Sequence, residues 1–76
     1  MYIIINKTKQ SKLYQTGNWP MNLLEQMVDG GDRVIVISLY SNTIKVPYHV
    51  DYNGFKEWEW VDFPLDENVL KQYKSL

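Results

Sequence analysis

Arg33-Val34-Ile35-Val36-Ile37-Ser38-Leu39 carries the strongest strand signal in this chain of 76 residues. The four β-branched residues inside it lose side-chain freedom in a helix and pack well in a sheet. Successive side chains of a strand point to opposite faces, and the residues from Val34 to Ile37 are apolar throughout. The stretch therefore predicts a strand that is apolar on both faces and lies at the centre of a β-sheet.

The N-terminal part of the chain predicts a hairpin. Tyr2-Ile3-Ile4-Ile5 is short and β-branched, and its unbroken apolarity is typical of a strand buried on both faces. The polar and basic residues 6–11 predict a loop, and Leu13-Tyr14-Gln15-Thr16 predicts the returning strand. The loop lacks the Asn-Gly or Asp-Gly pair of the tightest turns, so the expected hairpin has no strong turn signal.

Two short helices are predicted, one before the central strand and one near the C-terminal end. The first helix is predicted to open at Trp19-Pro20, because backbone N–H groups in the first turn of a helix have no intrahelical partner and proline, which lacks an N–H, is tolerated there. Asn18 or Trp19 is the expected N-cap residue. Gly30-Gly31 ends it, since glycine accepts the left-handed conformation that follows many helices. Asp66 is the expected cap of the second helix. The apolar stripes are Leu23, Leu24, Met27 and Val28 in the first helix and Val69, Leu70, Tyr73 and Leu76 in the second.

The region after the central strand predicts a meander of two more strands. Ser41-Asn42 marks a turn, and Thr43-Ile44-Lys45-Val46 follows as a strand. Pro47 cannot donate a ladder hydrogen bond, so this strand is expected to lie at an edge or to end there, with Tyr48-His49-Val50 resuming it. Asn53-Gly54 then supplies the two positive-φ residues of a tight turn into the last strand.

These elements predict one α+β domain over residues 1–76: a small single-layer sheet of about five antiparallel or mixed strands with two short helices, in the order ββαβββα. A chain this short buries only about 60 to 65% of its unfolded surface, so its stability margin is small. It has no cysteine, so neither a disulfide nor a thiolate metal cluster supports it. The apolar core or a partner is expected to supply the stability.

The last strand, from Phe55 to Phe63, mixes aromatic and acidic residues on both of its faces. Alternation places Lys56, Trp58, Trp60 and Asp62 on one face and Phe55, Glu57, Glu59, Val61 and Phe63 on the other. Two interpretations remain open: both tryptophans face the core while the glutamates face water, or at least one indole lies at an interface. The second predicts a partner-binding surface that consists of Trp58, Trp60, Tyr48, Tyr52, Glu57 and Glu59.

A second candidate surface is basic and aromatic. Residues 1–18 contain three lysines and no acid, whereas residues 50–67 contain six acids and one lysine, an asymmetry that can steer a partner or pair subunits head to tail. Cations beside aromatic rings can also hold the phosphate of a nucleotide and stack its base. This alternative ligand-binding surface consists of Lys7, Lys9, Lys12, Tyr14, Trp19 and Arg33. Because the whole chain has a net charge of −1, a nucleotide or nucleic acid is the secondary expectation.

Residues that could catalyse a reaction or hold a metal are few. His49 is the only histidine, no serine lies in a nucleophile elbow, and no phosphate-binding glycine motif occurs. Asp29-Gly30-Gly31-Asp32 lacks the further ligands of a calcium loop. Glu57 and Glu59 would lie about 6 to 7 Å apart on a strand, which overlaps the spacing of glycosidase carboxylates, but solvated acids are the simpler interpretation. We therefore expect no enzyme, no cofactor and no metal site, with a small enzyme centred on His49 as a minor alternative.

Aromatic residues make up 14% of the chain, and tyrosine and tryptophan are enriched at protein interfaces. The Asn-, Lys-, Tyr- and Ile-rich composition resembles that of small accessory proteins from AT-rich phage or bacterial genomes, which often act by binding. The longest apolar run, Tyr2 to Ile5, is too short to cross a bilayer and lacks the features of a signal peptide. The sequence thus predicts a cytosolic, non-enzymatic protein-interaction module, an inhibitor or accessory protein that has a protein partner, no membrane contact and a homodimeric state. The alternative is a protein that binds or sequesters a nucleotide.

Overall fold

A computed structural model describes residues 1–74, apart from the side chains of residues 52, 56 and 74. Within that range the elements follow the predicted order ββαβββα, which confirms the small α+β fold. Their bounds are Tyr2–Asn6 (β1), Ser11–Gln15 (β2), Met21–Asp29 (α1), Val34–Ser38 (β3), Thr43–Tyr52 (β4), Phe55–Pro64 (β5) and Glu67–Lys74 (α2).

All the strands form one antiparallel sheet in the order β2-β1-β3-β4-β5. β3 is the central strand, as the sequence predicts, and it pairs with β1 from Tyr2↔Ser38 to Asn6↔Val34. The N-terminal hairpin is also confirmed, since β2 pairs with β1 along its whole length. β3, β4 and β5 are neighbours in space and form the predicted meander.

The two helices pack on opposite faces of the sheet, which explains the unbroken apolar runs of β1 and β3. Alternating side chains of these two strands supply both cores. Each fully buried isoleucine or leucine contributes about 1.5–3 kcal/mol of burial free energy. The α1-side core contains Ile4, Leu24, Val28, Val34 and Val36, and the α2-side core contains Ile3, Ile5, Ile35, Ile37 and Ile44, on which Val69, Leu70 and Tyr73 pack. Leu76, predicted to extend the α2 stripe, lies outside the described residues.

The two hairpin turns use different devices. Asn53 and Gly54 have φ angles of 51° and 87°, the two positive values that a tight turn between β4 and β5 requires. The turn between β1 and β2 has no such pair. There, the Oδ1 atom of Asn6 accepts a hydrogen bond from the backbone N–H of Lys9 at 3.0 Å. This side-chain hydrogen bond stabilises the turn in place of an Asn-Gly or Asp-Gly pair.

The first helix begins differently from the prediction. Its N-cap residue is Pro20, with no side-chain hydrogen bond to the free amides, so the expected cap at Asn18 or Trp19 is wrong. The Trp19 ring packs on the α1-side core, which sets where the helix starts and leaves Asn18 too early to cap it. At the other end Gly31 has a φ of 87°, as expected of a terminating glycine. Asp66 caps α2 as predicted, because its Oδ1 atom accepts a backbone amide at 2.8 Å.

The expectation that β4 lies at an edge or ends at Pro47 is also wrong. β4 runs unbroken between β3 and β5 and pairs with β5 over all ten of its residues. Its pairing with β3 covers only Thr43 to Lys45. In that register Pro47 would lie opposite Val34, and it lacks the N–H that the Val34 carbonyl would accept. The β3 ladder ends at Lys45, so no ladder bond is required of the missing proline N–H. We call the separation of β3 from β4 at this point the fork.

Candidate functional site

The β4–β5 hairpin extends past the rest of the sheet. Residues 46–52 of β4 pair with β5 but not with β3. β5 is the outermost strand, so one whole edge of its backbone faces away from the sheet. His49 lies opposite Trp58, and Tyr48 lies opposite Glu59. Consecutive positions therefore alternate between the α1 side and the α2 side of the hairpin.

Trp58 and Trp60 lie on the α1 side, half-buried against the core there. The Trp58 indole Nε1 donates a hydrogen bond to Oδ1 of Asp29 at 2.8 Å, and its ring stacks on His49 with 4.7 Å between centroids. The Trp60 ring meets the ring of Trp19 edge to face at 5.2 Å. Both indoles thus take part in the chain's own packing, and their role in partner binding stays a prediction.

A row of aromatic rings continues across the α1 side. The Tyr2 ring contacts Trp19 at 5.3 Å and Tyr40 at 5.2 Å between centroids. The Lys45 ammonium lies 5.7 Å from the centroid of Trp19 and 2.7 Å from a carboxylate oxygen of Asp62. These contacts use much of the aromatic content of the chain to cover the α1-side core.

The α2 side of the hairpin is largely exposed. Phe55 is 75% exposed, Tyr48 is 49%, Phe63 is 44% and Val61 is 39%. Two exposed glutamates alternate with these residues along β5. These exposed apolar side chains alternate with charged ones along an outer strand, which makes this face a candidate surface for binding another molecule. We call it the uncovered hairpin face; it consists of Tyr48, Phe55, Glu57, Glu59, Val61 and Phe63.

The structure brings together only part of the predicted partner-binding set. Tyr48, Glu57 and Glu59 share the uncovered hairpin face, whereas the two tryptophans lie on the opposite side of the hairpin. Tyr52 pairs with Phe55 beside the turn, and its side chain is outside the described part of the chain. Sequence reasoning did not select the exposed Phe55 or its apolar neighbours, although alternation already placed them beside the glutamates.

An acidic groove separates α1 from β5. It has a volume of about 400 Å³ and is lined by Met21, Glu25, Asp29, Glu57 and Trp58. Carboxylates beside an indole form an environment that favours a lysine or arginine side chain. No cluster of histidine and carboxylate side chains within the described residues is arranged to hold a metal ion. The groove therefore offers charge complementarity to a cationic side chain rather than a coordination site.

Four residues of the predicted basic and aromatic surface are dispersed. Lys12 and Tyr14 lie on the edge strand β2, where the Lys12 ammonium is 5.7 Å from the ring centroid of Tyr14. Lys9 forms an ion pair with Asp32 at 3.6 Å. Trp19 belongs to the aromatic row on the α1 side. These residues do not form one ligand surface.

The remaining two predicted ligand residues, Lys7 and Arg33, come together at the fork. The fork contains a cleft of about 310 Å³ whose walls come from both cores. Sequence reasoning did not find this cleft, and the signal that could have revealed it is the proline inside an otherwise regular strand. The lining residues are Lys7, Val28, Asp32, Arg33, Val34, Ile35, Val46, Pro47 and Trp58.

Comparisons of the chain with protein-family models, with curated proteins and with solved structures gave no match. Neither helix of the described part of the chain is both long enough and apolar enough to span a membrane. The functional argument therefore rests on the surfaces of this chain: the uncovered hairpin face, the acidic groove and the fork.

Proposed function

We propose that this chain is a non-enzymatic interaction module that binds another protein through the uncovered hairpin face. The observation that carries the proposal is the exposure of four large apolar side chains, from 39% to 75%, on an outer strand and its neighbour. Aromatic side chains bury much area at a low cost in rotamer entropy, which is why they dominate binding hot spots. Removing this patch from water supplies the driving force for binding.

The partner should present basic side chains around an apolar centre. Glu57 and Glu59 alternate with the apolar residues of β5, and the acidic groove adds Glu25 and Asp29 on the other side of the strand. Opposite charges across an interface speed association and exclude partners of the wrong charge. The open edge of β5 also allows an extended segment of the partner to add to the sheet through main-chain hydrogen bonds.

A second copy of this chain fits the same edge in some registers only. Two β5 strands paired about a two-fold axis at position 58 would oppose Glu57 of one copy to Glu59 of the other. A two-fold axis at position 59 would oppose Glu59 to its own copy. Like charges directly opposite each other in a sheet are destabilising. An axis at position 60 would instead oppose Glu59 to Val61 and form no like-charge pair, so light scattering of the purified chain is needed to distinguish a homodimer from the basic heterologous partner.

The proposed role is that of a cytosolic inhibitor or accessory protein encoded by a phage or a bacterium. The composition of the chain supports this role by its likeness to such proteins. A binding function also fits the single histidine and the absence of cysteine in the sequence, since few groups are available for acid–base or nucleophilic chemistry.

Site-specific photo-crosslinking in cells that naturally express the chain tests the proposal. The crosslinking residue replaces Phe55 on the uncovered hairpin face or, as a matched control, the exposed Tyr14 on β2 at the far edge of the sheet. The proposal predicts one dominant protein adduct from position 55 and none from position 14. Equal adducts from both positions, or no adduct from position 55, would count against it, and an adduct of twice the chain's mass would favour the homodimer instead.

Binding of a small anionic ligand is a second candidate function. It is supported by the fork, where Lys7 and Arg33 meet beside an indole ring.

A further inference from the structure

We propose that the fork is a binding site for a small organic anion with a planar apolar body, such as a mononucleotide or an aromatic phosphate. This site is separate from the uncovered hairpin face, because it lies where β4 leaves β3 rather than along the outer strand. Three features of the cleft support this ligand class: two cations that have no ion-pair partner among the described residues, an oriented indole and the size of the space.

The two cations at the fork, Lys7 and Arg33, have no ion-pair partner within residues 1–74, and the Lys7 ammonium lies 5.5 Å from the ring centroid of Tyr73. Asp32 accepts a hydrogen bond from the Asn6 side chain at 2.9 Å and pairs with Lys9 at 3.6 Å, so its charge is already compensated. Two cationic side chains that line one cleft without an anionic partner favour an anion there.

The backbone of β3 faces alternate neighbours at the fork. The Arg33 carbonyl accepts the Lys7 amide at 2.7 Å, so the peptide groups of Arg33 are directed towards β1. Peptide groups alternate along a strand, so the N–H and carbonyl of Val34 are directed towards β4. Because Pro47 carries no N–H, the Val34 carbonyl lacks its ladder donor on the β4 side, whereas the carbonyl of Pro47 is still present opposite the Val34 N–H. Val34 lines the cleft, so its amide reports on whether the fork is occupied.

The remaining walls suit a flat apolar group. Val28, Val46 and Pro47 contribute aliphatic surface, and Trp58 contributes an indole ring. The orientation of that ring is fixed by its hydrogen bond to Asp29 and by its stacking on the His49 ring. A pre-oriented indole favours contact with a planar ligand, since little freedom is lost when the ligand binds.

The size of the cleft limits the ligand. A volume of about 310 Å³ is near the lower end of the range for small-molecule sites, which begins at about 300 Å³. One small ligand therefore fills the fork. An oligonucleotide would need a continuous basic and aromatic surface beyond the fork, and Lys9, Lys12, Tyr14 and Trp19 are too dispersed to form one.

NMR titration of the isotope-labelled chain tests this proposal. The probes are AMP, phenyl phosphate and inorganic phosphate, added separately at low ionic strength. We expect saturable shifts of the Val34 amide and the Trp58 indole N–H with the two aromatic probes, and about tenfold weaker binding of inorganic phosphate, which lacks a ring to contact the indole. Saturation by inorganic phosphate with equal affinity would contradict the role assigned to the apolar walls.

Matched variants separate the fork from general attraction to a basic surface. Arg33→Gln and Lys7→Gln should each weaken AMP binding about tenfold, whereas Lys12→Gln, which makes the same charge change on β2, should leave the affinity within about twofold. The spectra of all three variants also report whether the fold is retained. Absence of saturable binding, or an equal loss in the Lys12 variant, would overturn the proposal. An oligonucleotide that binds much more tightly than AMP and loses affinity in the Lys12 variant would also overturn it.

Discussion

The indole Nε1 of Trp58 lies 2.8 Å from the carboxylate Oδ1 of Asp29, so one directional hydrogen bond ties the outer strand β5 to the last residue of α1. The same indole lines both the acidic groove and the fork. This ring therefore lies between two proposed binding surfaces: the acidic groove, which favours a cationic side chain, and the fork, which favours an anion.

Trp58→Phe removes the hydrogen bond to Asp29 while it keeps an aromatic ring. We expect the free energy of unfolding to fall by about 1 kcal/mol, the usual net value of such a bond, as measured by urea denaturation. Asp29→Asn keeps an oxygen acceptor at this site and should cost less. A Trp58→Phe variant that is as stable as the parent would show that the bond is not formed in solution.

Asn6 is the buried polar residue that joins the first turn to the start of β3. Its Nδ2 atom donates to Asp32 at 2.9 Å and its Oδ1 atom accepts the Lys9 amide at 3.0 Å, and the residue is only 2% exposed. Asn6→Ala should lower the free energy of unfolding by about 2 kcal/mol, because it breaks both bonds and leaves an amide without its partner. Asn18→Ala, at an exposed position, is the control and should change stability by less than about 0.5 kcal/mol.

The ring of Trp19 contacts both Tyr2 and Trp60 edge to face. Trp19→Ala should lower the free energy of unfolding by about 2–3 kcal/mol, less than for a fully buried tryptophan because the ring is half-buried. Tyr14→Ala on the edge strand β2 should cost much less. Thermal unfolding of the two variants checks this, and equal losses would contradict the structural role of the aromatic row.

Pro47→Val tests the cause of the fork. The substitution supplies the N–H that the Val34 carbonyl lacks in the β3–β4 register, so the ladder should extend by one pair and the cleft should narrow. We expect the new amide at position 47 to exchange with solvent slowly, at a rate comparable to that of Lys45. An amide that exchanges as fast as those of an exposed loop would mean that another feature of the chain holds the strands apart.

The sequence predicted the elements well because their signals are local. The β-branched run from Val34 to Ile37 and the Asn53-Gly54 turn specify their conformations without help from distant residues. The two errors have tertiary causes. Packing of the Trp19 ring on the sheet sets the start of α1, and pairing with β5 on the other side carries β4 through Pro47.

The candidate surfaces were less predictable than the fold. Alternation correctly separated Trp58 from Glu57, but it could not tell which side of β5 a helix would cover. The position of α2 leaves Phe55 and Phe63 exposed, and that position depends on pairings between distant parts of the chain. The fork was hidden for the same reason, since Lys7 and Arg33 meet only after β1 pairs with β3.

Binding of the protein crosslinked from position 55 to purified variants tests the central claim most directly. The variants are the double substitution Phe55→Ser with Phe63→Ser on the uncovered hairpin face, and Tyr14→Ser at the far edge of the sheet. We predict that the double variant keeps its fold and binds at least about tenfold more weakly, whereas Tyr14→Ser binds like the parent. A double variant that binds as tightly as the parent would contradict the claim that this face of the hairpin is the docking surface.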